Sequence, residues 1–471
     1  MGHGPKRLEM YGGIWGGLVP LVVLIIVLIW LSVAERGGAN AFWAGGWLAI
    51  AIGLLLAKNK RDYCLSIMRG LGDKNGIVIV TAWLFAGVFG QLMVAGGLVD
   101  GLLWLGLTTG AKGALFTVMA FIAAMLFSVG TGTSTGTVLS LIPVLYPAGV
   151  MLGADPVMLA VGILAGAAFG DNLAPVSDTT IVSAFTQEAN MKDVVKSRAP
   201  LSLAAATICI VILAITGGGG EVNALPKIEA NMDPLGLLML ISFALVIISA
   251  LMGRHIVQSL IYGNLSAIIF GLINGKLALF DVFHIPAERG NSTGLIQDGI
   301  SGVTGAIIFA LLILAITQVL IESGVISSIL SWASRTIAKT VRQTEISIVL
   351  LTILASIPIA ANAPALLLVG PSLVKPLGQK FNLSPARRAN LMDCAVCTIF
   401  FIIPWHIAVI VWYTTLSTAA ETWNLPLPSI WSAAYNPYTW ALLAVLFFSI
   451  MTGWNRAYAS SSSNQAETFK A

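Results

Sequence analysis

The densest cluster of polar residues in this sequence lies between Gly170 and Thr180, directly after an apolar run. It contains two carboxylates, an amide, a proline and three hydroxyls, and the chain continues apolar through Ile181–Phe185. Acids at membrane depth are costly and usually mark an ion path. A solvated interfacial loop is the alternative, which the apolar continuation disfavours. Because Na+ takes oxygen ligands, we predict that Asp171 and Asp178 bind Na+ together with four neighbours, Asn172, Ser177, Thr179 and Thr180.

A second polar segment, Val129–Thr137, interrupts another apolar stretch. Its nine residues include three glycines and five hydroxyl side chains. Glycine lets the backbone turn sharply, and hydroxyls offer oxygen ligands. A helix-packing seam of small residues is the other interpretation. The apolar arms on both sides favour the tip of a hairpin, and its candidate ligands are Thr131, Thr133, Ser134 and Thr135.

The second half of the chain carries comparable interruptions. Ala360–Pro364 breaks one apolar run, and Pro404 is expected to break a helix in another. Four residues in or near these breaks join the candidate site, namely Asn362, Asp393, Trp405 and His406. His406 is either a group that titrates near neutral pH or a hydrogen-bonded structural residue.

The two halves of the chain align with each other at a nearly constant offset. The matched positions are Gln91 with Gln318, Gly97 with Gly324, Pro143 with Pro371, and Pro156 with Pro385. Each match is weak alone, because glycine is common in this sequence. The separation between partners is almost the same in all of them, however, and this shared offset predicts an internal repeat.

The composition indicates a membrane protein. Of the 471 residues, 57% are hydrophobic and only 10% are charged. In a soluble domain about 25% of the residues are charged. Long apolar runs with few charges indicate membrane spans. They lie near 14–33, 41–57, 77–98, 113–129, 157–170, 199–216, 235–251, 256–273, 304–321, 345–359, 398–413 and 437–453. We interpret the first run as a span because it is too long for a signal peptide.

The positive charges predict the orientation of the repeats. Lys and Arg near span ends stay in the cytoplasm, and placing both termini there leaves only five of the 25 basic residues outside. In this arrangement 113–147 forms two crossings or one re-entrant hairpin, and 345–376 dips in from the inside. The predicted fold is an all-α polytopic membrane protein with two inverted repeats, re-entrant hairpins and broken helices. Such repeats are typical of secondary transporters, whose substrate lies where the breaks meet.

The segments follow from this arrangement. We expect N-terminal transmembrane helices over 1–61, a first inverted repeat over 62–198, connecting transmembrane helices over 199–290, a second inverted repeat over 291–416, and a C-terminal helix and tail over 417–471.

Several other residues in apolar segments have two interpretations. Gln318 and Glu322 form either a polar seam or part of a proton path. The Cys394/Cys397 spacing allows a metal or redox site, but it lacks a second ligand pair, so small packing residues are favoured.

The motif at 170–180 resembles the signature of NhaC-type Na+/H+ antiporters, and the Gly/Thr/Ser stretch and Pro404-Trp405 resemble two further family features. The likeness extends over roughly 60–415. It implies a dimeric, elevator-type transporter, with the ion-site role on Asp171, Ser177, Asp178, Thr179 and Thr180. Two positions depart from the family pattern: Asn172 replaces a frequent Lys, and His406 replaces a frequent Asn.

These observations lead to two functional hypotheses. The first is exchange of Na+ for protons across the bacterial cytoplasmic membrane. The second is Na+- or H+-coupled transport of an amino acid or small organic acid, which the family also includes. We expect no cofactor beyond the transported ions, and no nucleic-acid partner. Membrane lipids, a second copy of the chain, and Na+ and H+ are the expected partners. We find no nucleophile–base constellation that would support an enzyme.

Thiol labelling tests the inverted orientation. Cysteines introduced at 224–232 and 420–428 should react with an impermeant reagent from the periplasmic side, whereas those at 336–341 should not, because the charge distribution puts that segment inside. Labelling of 336–341 from outside would contradict the inverted repeat.

Overall fold

The computed structural model describes residues 7–33, 39–72, 74–175, 177–220, 232–285, 292–325, 328, 340–357, 359 and 362–459. Within these residues the chain is mostly helical, and its β-structure is limited to isolated bridges. Eight helices in this part of the chain are long and apolar enough to cross a membrane. A pair bent by 56°, Val80–Ala95 with Leu98–Thr109, makes a ninth if it is one span. The prediction of an all-α polytopic membrane protein is confirmed.

The α-helices in chain order are α1 (Ile14–Val33), α2 (Ala39–Leu56), α3 (Lys60–Leu71), α4 (Lys74–Ala95), α5 (Leu98–Thr109), α6 (Ala114–Thr131), α7 (Ser134–Met151), α8 (Pro156–Leu173), α9 (Asp178–Gln187), α10 (Met191–Thr216), α11 (Met239–Leu251), α12 (Ile256–Ile273), α13 (Leu279–Val282), α14 (Leu295–Glu322), α15 (Val341–Ser356), α16 (Asn362–Val369), α17 (Lys375–Lys380), α18 (Pro385–Ile399), α19 (Ile407–Trp423) and α20 (Pro437–Thr452). A π-helical turn, Gly370–Val374, joins α16 to α17, and 3₁₀ turns precede α11 and α20.

Most helix boundaries follow the apolar runs. The runs 14–33 and 256–273 coincide with α1 and α12. The run 398–413 does not form one helix, because α18 ends at Ile399 and α19 begins at Ile407. Pro404 lies between them, and it interrupts the helix because proline has no backbone N–H to donate.

The internal repeat is visible in the helix starts. The four helices α6, α7, α8 and α9 begin at Ala114, Ser134, Pro156 and Asp178, and α15, α16, α18 and α19 begin at Val341, Asn362, Pro385 and Ile407. The four pairs have nearly equal separations, which agree with the offset that the sequence matches predict. Three segments named above lie outside the described residues: Ala360 and Ala361 of the second break, most of the loop 224–232, and 336–339.

Helix α7, the second arm of the first hairpin α6–α7, lies in the interior of the protein. Helix α7 is buried along nearly its whole length and packs against α4, α8 and α19. Helix α6 packs against α8 so closely that a Cβ at Gly170 would lie 2.0 Å from the Oγ of Ser128. Only glycine allows this approach. The outer helices α1, α10 and α12 instead expose large apolar side chains, as expected at a lipid-facing surface.

Arg387 and Arg388, which the charge pattern places in the cytoplasm, are buried in the protein, and Arg456 is partly buried. Arg387 on α18 donates to Glu345 on α15 (2.8 Å), and Arg456 donates to the other oxygen of the same carboxylate (2.9 Å from Nε). Arg388 donates to the side chain of Gln187 (3.1 Å). These bonds join the arms of the second repeat to each other and to the first repeat.

Candidate functional site

Asp171 lies near the end of α8 and is buried. Its Oδ1 accepts the backbone N–H of Ser134 (3.1 Å), and its Oδ2 accepts the Ser134 hydroxyl (2.6 Å). Ser134 is the first residue of α7, so the carboxylate lies at a helix N-terminus, where backbone N–H groups favour negative charge. The Nδ2 of Asn362, the first residue of α16, is 3.5 Å from the same Oδ2. One acid therefore contacts the tips of both hairpins.

The break between α8 and α9 has its own internal bonds. The hydroxyl of Thr179 donates to the backbone carbonyl of Asp171 (2.9 Å), and the Ser177 and Thr179 hydroxyls are 3.0 Å apart. Asp178 begins α9, and its carboxylate accepts the N–H of Thr179 (2.7 Å). These contacts satisfy backbone groups that a continuous helix would have paired. Ser177 and Thr179 thus determine the shape of the break that carries the two acids.

A cavity of about 400 Å³ lies where the breaks meet. Seven predicted site residues line it: Thr131, Thr133, Ser134, Thr135, Asp171, Asp178 and Asn362. Carboxylate, hydroxyl and amide oxygens are therefore gathered around one space, which is the donor set that a hard cation requires. The other wall is formed by Phe400, Ile407 and the short link between α11 and α12, including Arg254 and His255.

Asn172, Thr180 and Asp393 lie behind the cavity rather than in its wall. The Oδ1 of Asn172 accepts the hydroxyls of Ser202 (2.5 Å) and Tyr438 (3.1 Å), and these partners lie on α10 and α20. Asn172 therefore joins the α8–α9 break to the helices that support it.

Trp405 and His406 form hydrogen bonds with backbone carbonyls at the C-terminal end of α15. The Nε1 of Trp405 donates to the carbonyl of Ile357 (2.9 Å), and the Nε2 of His406 lies 3.1 Å from the carbonyl of Ser356. The last carbonyls of a helix have no partner within it, so these two side chains supply donors. The His406 ring is buried and packs on Phe400, with ring centroids 5.0 Å apart. The structure thus places both residues outside the cavity wall, as supports of the second hairpin.

Glu322 and Gln318 form a polar seam between α3 and α14. Both carboxylate oxygens of Glu322 accept from Arg69 at 2.6 Å, and Gln318 donates to the same group at 2.7 Å. These residues are not among those that line the site cavity. Cys394 and Cys397 are buried free thiols.

The sequence analysis does not identify two residues that the structure places at or beside the site. The charge-based topology places Arg198 among the cytoplasmic basic residues, yet its side chain is completely buried beside the α8–α9 break. Arg254 counts as a loop charge, yet it lines the cavity. A charge count cannot distinguish the two situations, because the positive-inside rule describes chain position and not side-chain direction.

Broken helices from two repeats, meeting around buried carboxylates, are the arrangement of secondary transporters. The chain belongs to the Na+/H+ antiporter family, whose model matches residues 11–218 and 231–454. The NhaC-type resemblance is thereby confirmed.

Three curated relatives are similar to this chain. The malate-2H+/Na+-lactate antiporter of Bacillus subtilis (strain 168) is 26% identical over 326 residues, covering 66% of this chain and 69% of the relative. The Na+/H+ antiporter NhaC of Alkalihalophilus pseudofirmus is 25% identical over 303 residues, covering 61% and 65%. An uncharacterized Na+/H+ antiporter of Haemophilus influenzae is 22% identical over 430 residues, covering 84% and 86%.

Ser134→Ala tests the contact between the first hairpin and Asp171. We expect the rate of Na+-dependent proton movement in proteoliposomes to fall about tenfold, since a hydrogen bond to a charged group contributes about 1.5 kcal/mol. Ser140→Ala is the matched control, because this buried hydroxyl on the same helix has no hydrogen-bond partner within the described residues. Equal losses in the two variants would contradict a specific role for Ser134.

His406→Asn separates capping from proton-linked function. We expect an unchanged pH profile and a lower melting temperature, because the Ser356 carbonyl loses its donor at a cost of about 1–3 kcal/mol. Trp405→Phe is the control, since it removes the neighbouring donor without touching a titratable group. A pH profile that moves in His406→Asn alone would assign His406 a proton-linked or selecting role.

Proposed function

We propose that this protein exchanges Na+ for protons across the bacterial cytoplasmic membrane. The observation that carries the proposal is the pair of carboxylates, Asp171 and Asp178, in one cavity between broken helices. A carboxylate takes either a proton or Na+, and each neutralises it. Carrying the bare charges through a low-dielectric interior is costly, so only the loaded states cross readily. Alternate loading by the two cations then gives exchange.

The Ser134 hydroxyl has a specific part in this exchange. The hydroxyl donates to the Oδ2 of Asp171 (2.6 Å). A hydroxyl also has two acceptor lone pairs, so rotation about its C–O bond turns this donor into a ligand when Na+ arrives. The backbone N–H of Ser134 continues to hold Oδ1 in place.

We infer an elevator-type movement for the conformational step. The body that moves contains the hairpins and broken helices of the repeats 62–198 and 291–416, together with α10 and α20, because Ser202 and Tyr438 bond Asn172 at the break. The helices over 1–61 remain against the membrane. Both termini lie in the cytoplasm, and two copies of the chain form a homodimer. Support comes from the repeat of helix starts and from the apolar outer faces of α1 and α12.

The size of the cavity favours a second candidate, coupled transport of a small organic acid. About 400 Å³ is far more than one ion requires and falls within the range of small-molecule pockets. Arg254 lines the cavity, and α7 and α16 begin at it, so a carboxylate would meet a guanidinium and helix N-termini. In this version Thr131–Thr135 and Asn362 hold the solute while Asp171 and Asp178 keep the coupling cations.

Proteoliposomes with imposed Na+ and pH gradients test the proposal. Asp171→Asn and Asp178→Asn should each lower Na+-dependent proton movement by at least about 100-fold, the effect of losing about 2.7 kcal/mol of ion binding. Asp155→Asn is the matched control. Asp155 caps α8 by accepting the N–H of Met158 (2.8 Å), and asparagine caps equally well. Full activity in either site variant would remove that acid from the site.

The same vesicles distinguish the two candidates. Exchange that proceeds at full rate without any organic solute supports Na+/H+ antiport. Exchange that requires a hydroxycarboxylate or dicarboxylate on one side supports the second candidate.

A further inference from the structure

Arg198 reaches the back of the α8–α9 break from a neighbouring helix. It lies in the second turn of α10, and its side chain is completely buried. Its Nη1 donates to the backbone carbonyl of Asn172 (2.5 Å) and to the hydroxyl of Thr180 (2.9 Å). Asn172 precedes the break and Thr180 follows it, so one guanidinium group bonds both of its ends.

The same guanidinium bonds the second repeat. Arg198 forms an ion pair with Asp393, and its Nε donates to the Oδ1 of Asn390 (3.0 Å). Both partners lie on α18, and Asp393 is fully buried. A buried charge that loses its partner is strongly destabilising, so each member of the pair requires the other.

The ion pair changes the charge that the cavity presents. Three carboxylates surround this region: Asp171 and Asp393, which are buried, and Asp178, which is partly exposed. Only the first two line the cavity, and the third is matched by Arg198. The Oδ1 of Asp393 accepts the thiol of Cys397 (3.6 Å), and Cys394 accepts the amide of Asn172 (3.6 Å). Cys394, Cys397 and Asn172 are thus neutral groups in the layer behind the acids.

We propose that Arg198 is a positioning residue that sets the affinity of the cavity for its cation. By neutralising Asp393 and bonding both ends of the break, it limits the negative charge offered to the cargo to Asp171 and Asp178. Asp393 is then a counter-charge and not a ligand. This inference rests on the proposed Na+ exchange.

A purely structural role for Arg198 makes a different prediction. Loss of a structural bond lowers turnover or stability whichever member of the pair is removed. A change in charge behind the site shifts the apparent KM for Na+ in opposite directions. Removing Arg198 leaves an extra negative charge and strengthens Na+ binding, whereas removing the Asp393 charge leaves an extra positive charge and weakens it.

Four variants of the full-length protein in proteoliposomes distinguish these roles: Arg198→Gln, Arg198→Lys, Asp393→Asn and the double variant Arg198→Gln/Asp393→Asn. The KM for Na+ is measured at alkaline pH, where protons compete least. We expect Arg198→Gln to lower it about fivefold and Asp393→Asn to raise it about fivefold. The double variant, with the net charge restored, should return within about twofold of the original protein. Arg198→Lys should keep the KM but lower kcat, since an ammonium cannot make the same set of bonds.

The comparison of Asp393→Asn with the double variant does not require Arg198→Gln to fold alone. Unchanged KM values, or shifts in the same direction in both single variants, would overturn the role of Arg198 while Na+ coupling in the original protein remains. Proton movement that ignores Na+ in the original protein would overturn the proposed function and this inference together.

Discussion

Backbone groups that leave a helix at membrane depth must find partners within the protein, because lipid offers none. The rest of the site depends on this constraint. The end of α15 takes donors from Trp405 and His406, and the carbonyls of Asp171 and Asn172 take donors from Thr179 and Arg198. The polar residues that interrupt the apolar runs therefore have structural partners before any cargo arrives.

The two repeats satisfy this constraint with different chemistry. At the first hairpin the partner is an acid, since Asp171 accepts both the N–H and the hydroxyl of Ser134. At the second hairpin the partners are ring N–H groups, which carry no negative charge. By the shared offset Asp171 corresponds to Phe400, which carries no charge, and the acid that the second repeat places near the cavity, Asp393, is matched by Arg198. The negative charge of the cavity thus comes from the first repeat alone, although both repeats build its walls.

Sequence patterns predict where the chain breaks far better than they predict where side chains point. Glycine, proline and clustered hydroxyls mark the ends of α6, α8 and α18, and the helix starts recur at the expected offset. The pattern also places Asp171 beside the Thr131–Thr135 segment. It does not show that Trp405 and His406 face a helix end, because around a break the direction of a side chain depends on the local dihedral angles. It likewise counts Arg198 among the cytoplasmic charges, although this side chain points from α10 into the protein.

Under the proposed function, the contacts of Asp171 link cation binding to the conformation of the two hairpins. Its carboxylate is the group that takes the cation, and it also contacts Ser134 of one hairpin and Asn362 of the other. A proton on Oδ2 removes an acceptor from Ser134, whereas Na+ converts that hydroxyl into a ligand. Each cargo therefore leaves the two hairpin tips with a different set of bonds. A ligand shifts a conformational equilibrium only through such differences in contact. Under the proposed function, the contacts of Asp171 with Ser134 and Asn362 are therefore also where the two ions are distinguished.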